Sequence, residues 1–413
     1  MTPISASLII VSRHRPAALM RALAGVAQMD HPSFEVIVVA DPAGIAAATT
    51  TARSLALPLK LAEYDHPNIS VARNIGLGLA SAPVVAFLDD DAVPEPTWLS
   101  RLTAPFADPN VTAAGGYVLG RSGLAWQWRA MWVDGDGFDH PFTPPNTTSL
   151  HANTPTHAIK TQGTNCAFRR DALLKIGGFD PGFTFYLEDA DVNLRLAAHG
   201  GLTAIVPSAV VHHGFAPSAQ RRKDRVPADL TQIGHSLARF TAQHGQSQNA
   251  PPQNALALHI AGQRARLIRH MVSGALEPGD VARLMAGLQN GIAQPQTHAP
   301  PNTPLAPTSS KFTPLPNTGP RSGCLFFGTS AQRQSLTDAA QAARAKGQIV
   351  TLIILSRGLH PHTHRFTDQG YWVQSGGRFG QSFRTGPRFV GQPVAQRHAA
   401  EAARLAQFRP VGP

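Results

Sequence analysis

The chain has 413 residues, 43% of them hydrophobic, which is enough for two or three domains with a substantial core. No apolar run approaches the ~18 residues that span a bilayer, and no basic residue precedes the apolar N-terminal segment. Two cysteines cannot form a disulfide framework. We therefore expect an unprocessed cytoplasmic protein. The net charge of +11 belongs to the second half, because residues 1–212 carry 14 Lys/Arg against 18 Asp/Glu and residues 213–413 carry 22 against 7.

The first ninety residues alternate apolar runs with amphipathic segments. The pattern predicts buried strands at 5–11, 34–40, 57–62 and 84–88, with helices at 16–28, 43–55 and 69–80 between them. An alternation of this kind requires a parallel sheet with right-handed crossovers. We therefore predict an α/β fold, Rossmann-like, with a mostly parallel sheet flanked by helices.

The fourth predicted strand ends in three consecutive carboxylates, Asp89, Asp90 and Asp91. Charged side chains do not belong inside a buried strand, so they lie at its carboxyl end, where open α/β sheets bind ligands. Alternation directs Asp89 and Asp91 to one side and Asp90 to the other. Converging carboxylates suit a divalent cation such as Mg²⁺ or Mn²⁺. A solvated acidic turn, with Asp91 capping the following helix, explains the three residues equally well.

The next part of the chain is less regular. A helix is predicted at 95–106 and a strand at 111–119, whereas the aromatic-rich segment 120–158 lacks periodicity and suits either a satellite core or a loop over a sugar. A strand at 163–168, a short helix at 169–176 and an acidic helix from Glu188 follow. Acids at a helix N-terminus are ordinary helix chemistry. A last strand pair at 202–206 and 209–211 leads into His212 and His213.

The second half carries helices at 228–242 and 255–271, and from residue 324 a small βαβ unit. We place domain boundaries at 1–240, a helical extension at 241–293, a Pro-rich linker at 294–320 and a basic C-terminal region at 321–413, either a small α/β unit or partly disordered. The basic excess suits an anionic partner, but no nucleic-acid-binding module accompanies it, so no nucleic acid is expected.

Five segments in this order resemble the inverting glycosyltransferases of family 2, which have the GT-A fold. They are Ser7 to Ser12, Ser70 to Asn74, Phe87 to Asp91, Gly177 to Asp180 and the pair Glu188-Asp189. The resemblance covers roughly the first 215 to 240 residues. It implies a catalytic domain there and leaves the C-terminal part unexplained.

The resemblance implies roles residue by residue. Asp89, Asp91 and His212, with His213 as competitor, would hold Mn²⁺ or Mg²⁺, and Asp189 would be the catalytic base, with Glu188 as second choice. The donor nucleotide would be bound by Ser12, Arg15, Asp41, Arg73 and Asp90. The acceptor would face Gly163, Asn165, Gly178, Phe179 and Asp180.

One turn departs from the family pattern, because Asp41 is followed by Pro42 where family members commonly have a second acid. This leaves the nucleoside open between UDP- and dTDP-linked donors. The leading hypothesis is an inverting, metal-dependent glycosyltransferase that acts on a glycan or lipid-linked acceptor in envelope polysaccharide or glycoconjugate synthesis. The basic flank would hold it peripherally on the inner face of an anionic membrane. The alternative is a catalytically inactive nucleotide-sugar-binding scaffold.

Overall fold

Two α/β units, each built on its own sheet, organise the computed structural model, which describes residues 3–214, 216, 218–245, 252–301, 303–306, 310–316 and 318–412. The strands are β1 (Ala6–Ser12), β2 (Phe34–Ala40), β3 (Leu59–Glu63), β4 (Val84–Asp89), β5 (Ala92–Pro94), β6 (Val111–Leu119), β7 (Trp126–Trp128), β8 (Met131–Asp134), β9 (Asp139–Pro141), β10 (Ser149–Ala152), β11 (His157–Ile159), β12 (Cys166–Arg169), β13 (Leu202–His213), β14 (Gly323–Thr329), β15 (Ile349–Ser356), β16 (Thr363–Phe366) and β17 (Trp372–Gly377). The helices are α1 (Pro16–Val26), α2 (Pro42–Leu55), α3 (Ile69–Leu79), α4 (Trp98–Thr103), α5 (Arg170–Lys175), α6 (Glu188–Ala198), α7 (Thr231–His244), α8 (Pro252–Val272), α9 (Pro278–Ala293), α10 (Arg333–Ala345) and α11 (Val394–Ala406).

The predicted alternation of the first ninety residues is confirmed. Strands β4, β1, β2 and β3 lie side by side and run parallel. Helices cover both faces of these strands: Leu19 and Leu23 of α1 pack in one apolar cluster, and Leu77 of α3 and Val192 of α6 pack in the other. Burial on both faces is why the strands read as continuous apolar runs.

The register of this sheet determines where the acids lie. Val11 pairs with Asp89, so β1 and β4 end next to each other. The sheet then turns mixed, because β12 inserts antiparallel between β4 and β6. This orientation of β12 was not part of the prediction.

The last strand of the sheet is one element, which corrects the predicted strand pair. β13 runs without interruption from residue 202 to 213 and pairs with β6, with a register shift between Val206 and Val210. Pro207 lies within the shift and has no N–H to donate to the ladder, so a bulge accommodates it. The far end of β13 pairs antiparallel with β5, where His212 faces Val93 and His213 faces Ala92.

The segment 120–158 contains short strands rather than one irregular loop. β8, β9 and β11 form a small separate sheet, while β7 and β10 join the large one. Its aromatic residues pack against each other and the sheet: Trp126 contacts Tyr117 edge to face, and Trp132 lies 5.6 Å from Phe142. These contacts favour the satellite-core interpretation.

Helices α7, α8 and α9 pack together beyond the large sheet, around Leu237 and Leu288. Helix α7 runs across residue 240, where the sequence placed a boundary. The sequence did not predict α9, whose pattern contains Gly287 and Gly291. A Cβ on Gly291 would lie 1.9 Å from the Thr231 carbonyl oxygen, so the glycine permits the close approach of α9 to α7.

The described residues of the Pro-rich segment 294–320 contain no helix or strand, yet they pack on the sheet. Leu315 is buried, and its N–H donates to the Phe34 carbonyl over 2.8 Å. The Thr313 N–H donates to Glu35 Oε2 over 3.0 Å. The segment is therefore held along the first unit rather than extended in solvent.

The C-terminal residues form a four-stranded sheet in the order β14-β15-β17-β16. The first βαβ unit was predicted, whereas β16, β17 and α11 were not. This sheet unit contacts the first one through Arg409, which pairs with Glu95, and Gly370, whose carbonyl accepts from Gln28. None of the described helices combines the length and apolar character needed to cross a bilayer.

Candidate active site

A cleft of about 550 Å³ opens where β1, β4 and the N-terminus of α6 converge. The sequence predicted acids at the end of β4 and at the start of α6, and acids from both places line the cleft. Its lining includes Asp89 and Asp91 from the end of β4 and Glu188 and Asp189 from α6. Carboxylates from distant parts of the chain thus share one space, which is typical of a site for a ligand with cationic or hydroxyl groups.

Asp89, Asp91 and His213 form a cluster whose ligand atoms lie within 4.8 Å of one another. His213 Nε2 is 3.1 Å from Asp91 Oδ1 and 3.9 Å from Asp89 Oδ2. Two carboxylates and one imidazole are a ligand set that Mn²⁺ accepts.

The hydrogen bonds of His213 test whether this cluster suits a cation. His213 Nδ1 lies 2.9 Å from Gln127 Oε1, an oxygen that can only accept, so Nδ1 carries the proton. In the neutral ring, Nε2 then directs its lone pair at Asp91, an arrangement that favours a metal ion or a proton between them. Burial opposes protonation of His213, but the hydrogen bond to Asp91 prevails and raises its pKa.

His213, the competitor in the sequence analysis, lies beside Asp89 and Asp91, whereas His212, the preferred metal ligand, does not. His212 Nε2 lies 2.8 Å from Glu95 Oε1, and the His212 ring packs at 4.6 Å from the Trp372 ring. Successive residues of a strand point to opposite faces, so only one of the two histidines can face the acids. The pairing of β13 with β5 makes that residue His213.

Asp90 lies beneath the cleft rather than in its wall. It accepts from Ser12 Oγ over 2.7 Å, and Arg15 Nη2 is 3.0 Å from its Oδ1. Burial raises the pKa of Asp90 to about 7, although Arg15 opposes the change. Arg15 also lies 3.4 Å from Asp91 Oδ2 and lines the cleft with Ser12. Asp90 therefore positions Arg15 and Ser12 rather than facing a ligand itself.

The two acids of α6 have different environments. Glu188 is paired with Arg73 Nη1 over 2.9 Å. Burial raises the pKa of Glu188, Arg73 opposes this, and neighbouring Asp189 adds to it. Asp189 accepts only backbone hydrogen bonds among those observed, from the Ala190 N–H at Oδ1 over 2.8 Å and from the Gly163 N–H at Oδ2 over 3.4 Å. Because Glu188 is committed to Arg73, Asp189 is the acid whose oxygens are better placed to accept a proton.

An unusual backbone turn delivers these acids to the cleft. Tyr186 and Leu187 have φ angles of 74° and 67°, in the left-handed region that non-glycine residues rarely adopt. The turn immediately precedes α6 and directs its first residues towards the cleft, with Tyr186 in the lining. Strain of this kind is often concentrated at functional sites.

Asp41, predicted at the donor nucleotide, does not line the cleft. It is buried, and it accepts from the His14 backbone N–H over 3.0 Å. The His14 ring lies above it, with Nδ1 3.4 Å from Asp41 Oδ2. His14 itself lines the cleft, so a nucleoside would meet the histidine first.

Asn165, predicted to face the acceptor, is instead a structural residue. It is fully buried, its Oδ1 accepts from Trp98 Nε1 over 2.7 Å, and its Nδ2 donates to the carbonyls of Tyr117 and Ala209. Both amide hydrogens are thus used, and the side chain is fully buried away from the cleft, so it does not reach a substrate there. Gly163, two residues earlier, does line the cleft.

The segment Gly178 to Asp180 also lies away from the cleft, which corrects its assignment to the acceptor. Phe179 is buried against Phe87 at 5.1 Å. Asp180 is fully buried in a bidentate pair with Arg239, at 2.9 and 2.8 Å. These residues hold α7 against the sheet.

Lys160 was missed by the sequence analysis. It lines the cleft, its Nζ lies 2.9 Å from Asp139 Oδ1, and it stacks over the Trp128 ring. Burial opposes its charge, but Asp189 and Asp139 prevail and raise its pKa. A lysine after the short strand β11 gives no sequence signal, because its partners come from separate elements.

Comparison with known proteins identifies the family. The sequence model described as "Glycosyltransferase like family 2" matches residues 3–225, more than half of the chain. The chain belongs to glycosyltransferase family 2. Its sheet of parallel strands flanked by helices, with the Asp89-x-Asp91 element at the end of β4, agrees with the GT-A fold implied by the resemblance.

Curated relatives resemble part of the chain. The "O-antigen biosynthesis protein RfbC" of Myxococcus xanthus is 29% identical over 54% of this chain and 18% of its own length. The "Pre-mycofactocin glycosyltransferase" of Mycobacterium tuberculosis is 31% identical over 36% of this chain and 31% of its own length. The "Succinoglycan biosynthesis protein ExoM" of Rhizobium meliloti is 28% identical over 48% and 62%. The chain thus spans less than two thirds of each relative.

Two solved structures also resemble the chain, each at 18% identity. One is the mannosyltransferase PcManGT from Pyrobaculum calidifontis in complex with GDP-Man and Mn²⁺, with a TM-score of 0.44 over 69% of this chain and 85% of that one. The other is GalNAc-T7 with UDP, GalNAc and Mn²⁺, with a TM-score of 0.45 over 61% and 52%.

Proposed function

We propose that the protein transfers a sugar from a UDP- or dTDP-linked donor to a hydroxyl acceptor, with a divalent metal and with inversion at the anomeric carbon. One observation carries the proposal: the cluster of Asp89, Asp91 and His213 shares a single cleft with Asp189. Membership of glycosyltransferase family 2 supports the same reaction class.

The residues of the cleft suit the two ends of this reaction. Asp89, Asp91 and His213 would hold Mn²⁺ or Mg²⁺, which when bound acts as a Lewis acid on the diphosphate. Asp189 would accept the acceptor hydroxyl proton as the oxygen bonds to the anomeric carbon and the bond to the nucleoside diphosphate breaks. Arg15, beside Asp91, supplies a fixed positive charge for the leaving diphosphate.

The relatives support the wider role. Two of them are described as O-antigen and succinoglycan biosynthesis proteins, and a third as an N-acetylglucosaminyl-diphospho-decaprenol L-rhamnosyltransferase. We therefore propose envelope polysaccharide or glycoconjugate synthesis, with a glycan or lipid-linked acceptor. The enzyme would work in the cytoplasm, peripherally at the inner face of the membrane, with the basic second half towards anionic lipid.

The test begins with a panel of nucleotide sugars, screened by thermal shift with and without Mn²⁺. The stabilising donors are then assayed for metal-dependent hydrolysis and transfer, and the anomeric configuration of the product is read by NMR. Asp189→Asn should lower turnover by about 10²- to 10⁴-fold, as expected for loss of a general base. Asp91→Asn should abolish the response to Mn²⁺.

Asp171→Asn is the matched control, because this carboxylate is 91% exposed on α5 and does not line the cleft. Its activity should equal that of the parent. A product that retains the donor configuration, or full activity in Asp189→Asn, would refute the assigned mechanism.

One observation favours the alternative, a nucleotide-sugar-binding protein without turnover. Asp41 was expected to contact the nucleobase, but His14 covers it and it does not line the cleft. Donor binding with Mn²⁺ but neither hydrolysis nor transfer would favour this scaffold function over the enzyme.

A further inference from the structure

Helix α8 exposes a continuous apolar stripe along its outer face. Three large side chains in it are exposed: Leu258 by 62%, Ile268 by 38% and Val272 by 80%. Ala261 and Ala265 lie between them and are exposed too. The spacing of these five residues, here called the α8 stripe, places them on one side of a helix over about 21 Å.

The opposite face of α8 holds the helix to the rest of the protein. Leu267 on that face is fully buried. His259 stacks on Phe138 at a ring separation of 4.1 Å and donates from Nε2 to the Asp136 carbonyl. The helix is thus fixed without the α8 stripe, whose apolar surface is left facing water.

The charges beside the α8 stripe indicate what covers it. Arg264 borders one side of the stripe and Arg269 the other, and both are exposed. The 21 residues of the helix include no acidic residue. An apolar band flanked by arginines is complementary to the surface of an anionic membrane, with the band in the acyl boundary and the arginines at phosphates.

Helix α8, which carries the α8 stripe, also lies near a residue of the cleft wall. Arg266, between Ala265 and Leu267 of this helix, is close enough to Tyr186 for the two to interact electrostatically, and Tyr186 lines the cleft. A surface docked through α8 would therefore lie near the cleft.

We propose that the α8 stripe docks the protein on anionic lipid, with Leu258, Ile268 and Val272 in the acyl boundary and Arg264 and Arg269 on lipid phosphates. This docking surface would bring the cleft to a lipid-linked acceptor. Only the identity of the acceptor rests on the proposed function.

The test is co-sedimentation of the full chain with vesicles of phosphatidylcholine alone or with 30% phosphatidylglycerol. The parent should bind the anionic vesicles and lose affinity as salt increases. The triple variant Leu258→Ser, Ile268→Ser, Val272→Ser should lose binding. The double variant Arg264→Gln, Arg269→Gln should bind roughly 25-fold more weakly, about fivefold for each arginine.

The matched control replaces two exposed apolar residues outside the stripe, Leu359 and Phe389, which are 61% and 62% exposed, with serine. Its binding should equal that of the parent, and donor turnover with a soluble acceptor should be unchanged in every variant. Absence of binding to anionic vesicles, or equal binding by the triple variant, overturns the proposal. A dimer in light scattering that the triple variant abolishes would also overturn it, by showing that a second copy covers the stripe.

Vesicle binding needs neither donor nor metal, so its outcome is independent of catalysis. Loss of turnover in a protein that still binds vesicles would refute only the proposed function. Turnover without vesicle binding would refute the docking surface and the proposed place at the membrane, but not the transfer reaction.

Discussion

The two histidines at the end of β13 are adjacent in the sequence, but their side chains contact different residues. His213 faces Asp89 and Asp91, whereas His212 faces Glu95 on the other side of the strand. We predict that His213→Gln weakens Mn²⁺ binding by about tenfold or more, because a coordinating ring nitrogen is lost. The affinity can be measured on the donor-free protein from the electron paramagnetic resonance signal of unbound Mn²⁺.

His212→Gln is the control for this experiment and should leave Mn²⁺ affinity within about twofold, since its ring does not reach the acids. Equal loss in both variants would contradict the assignment. The sequence could not choose between these histidines because either register of the strand is compatible with its composition. The choice depends on the pairing of β13 with β5, some 120 residues away.

His31 provides a prediction about pH. Burial lowers its pKa from 6.5 to about 4. The unfolded chain therefore binds a proton between these values that the folded protein does not, so this residue costs stability as the pH falls from 6.5 to 4. Relative to His31→Gln, the parent should lose up to roughly 3 kcal/mol of unfolding free energy over this range.

Urea unfolding of both proteins at several pH values between 4 and 7 checks this. The difference between them should be constant above pH 6.5 and should change only below it. A difference that does not vary with pH would show that His31 is solvated in the folded protein.

At the scale of elements, one buried carboxylate of β2 binds four other segments of the chain. Glu35 accepts from Ser7 Oγ at 2.6 Å, from the Ser81 N–H at 2.8 Å and from the Thr313 N–H at 3.0 Å, and it pairs with Lys60 at 2.8 Å. Burial opposes its charge, but these partners prevail and lower its pKa. The cluster holds the Pro-rich segment against the sheet.

We predict that Glu35→Ala lowers the unfolding free energy by about 3–5 kcal/mol, because it leaves buried donors and the Lys60 charge without their acceptor. Urea unfolding measures the loss. The control is Glu63→Ala at the exposed end of β3, which should change stability by no more than about 0.5 kcal/mol. Similar effects of the two substitutions would contradict the role of the cluster.

Local pattern predicted the elements with regular apolar periodicity, whether their partner in the sheet is the next strand along the chain, as for β1 and β2, or a distant one, as for β1 and β4. Strands β1 to β4 and their helices follow from apolar periodicity, and the end of β4 located the acids of the cleft. The antiparallel insertion of β12 could not be read from its four residues, because orientation in a sheet depends on distant partners. The same is true of Asn165, whose amide suits a substrate as well as it suits the carbonyls it binds.

At the scale of the whole molecule, the C-terminal unit packs against the end of β13 on the side of His212. Arg409 is buried, donates from Nε to Glu95 Oε2 over 2.8 Å, and lies 3.8 Å from the centre of the Trp372 ring. Glu95 is also hydrogen-bonded to His212, whose ring contacts Trp372. Residues outside the family match thus complete the surroundings of an acid inside it.

We predict that Arg409→Met destabilises the protein by about 3–5 kcal/mol, because a residue of similar volume leaves Glu95 buried with a single partner. Urea unfolding measures the loss, and limited proteolysis within residues 294–320 should become faster as the C-terminal unit detaches. The control is Arg21→Met, which breaks another ion pair between the units: Arg21 is paired with Asp368 at 2.7 Å, but the two side chains are 39% and 79% exposed. Solvent screens this pair, so its loss should cost less than about 1 kcal/mol. Equal effects of the two substitutions would mean that the buried arginine contributes no more than a surface contact, and that the units are joined by apolar packing around Trp372.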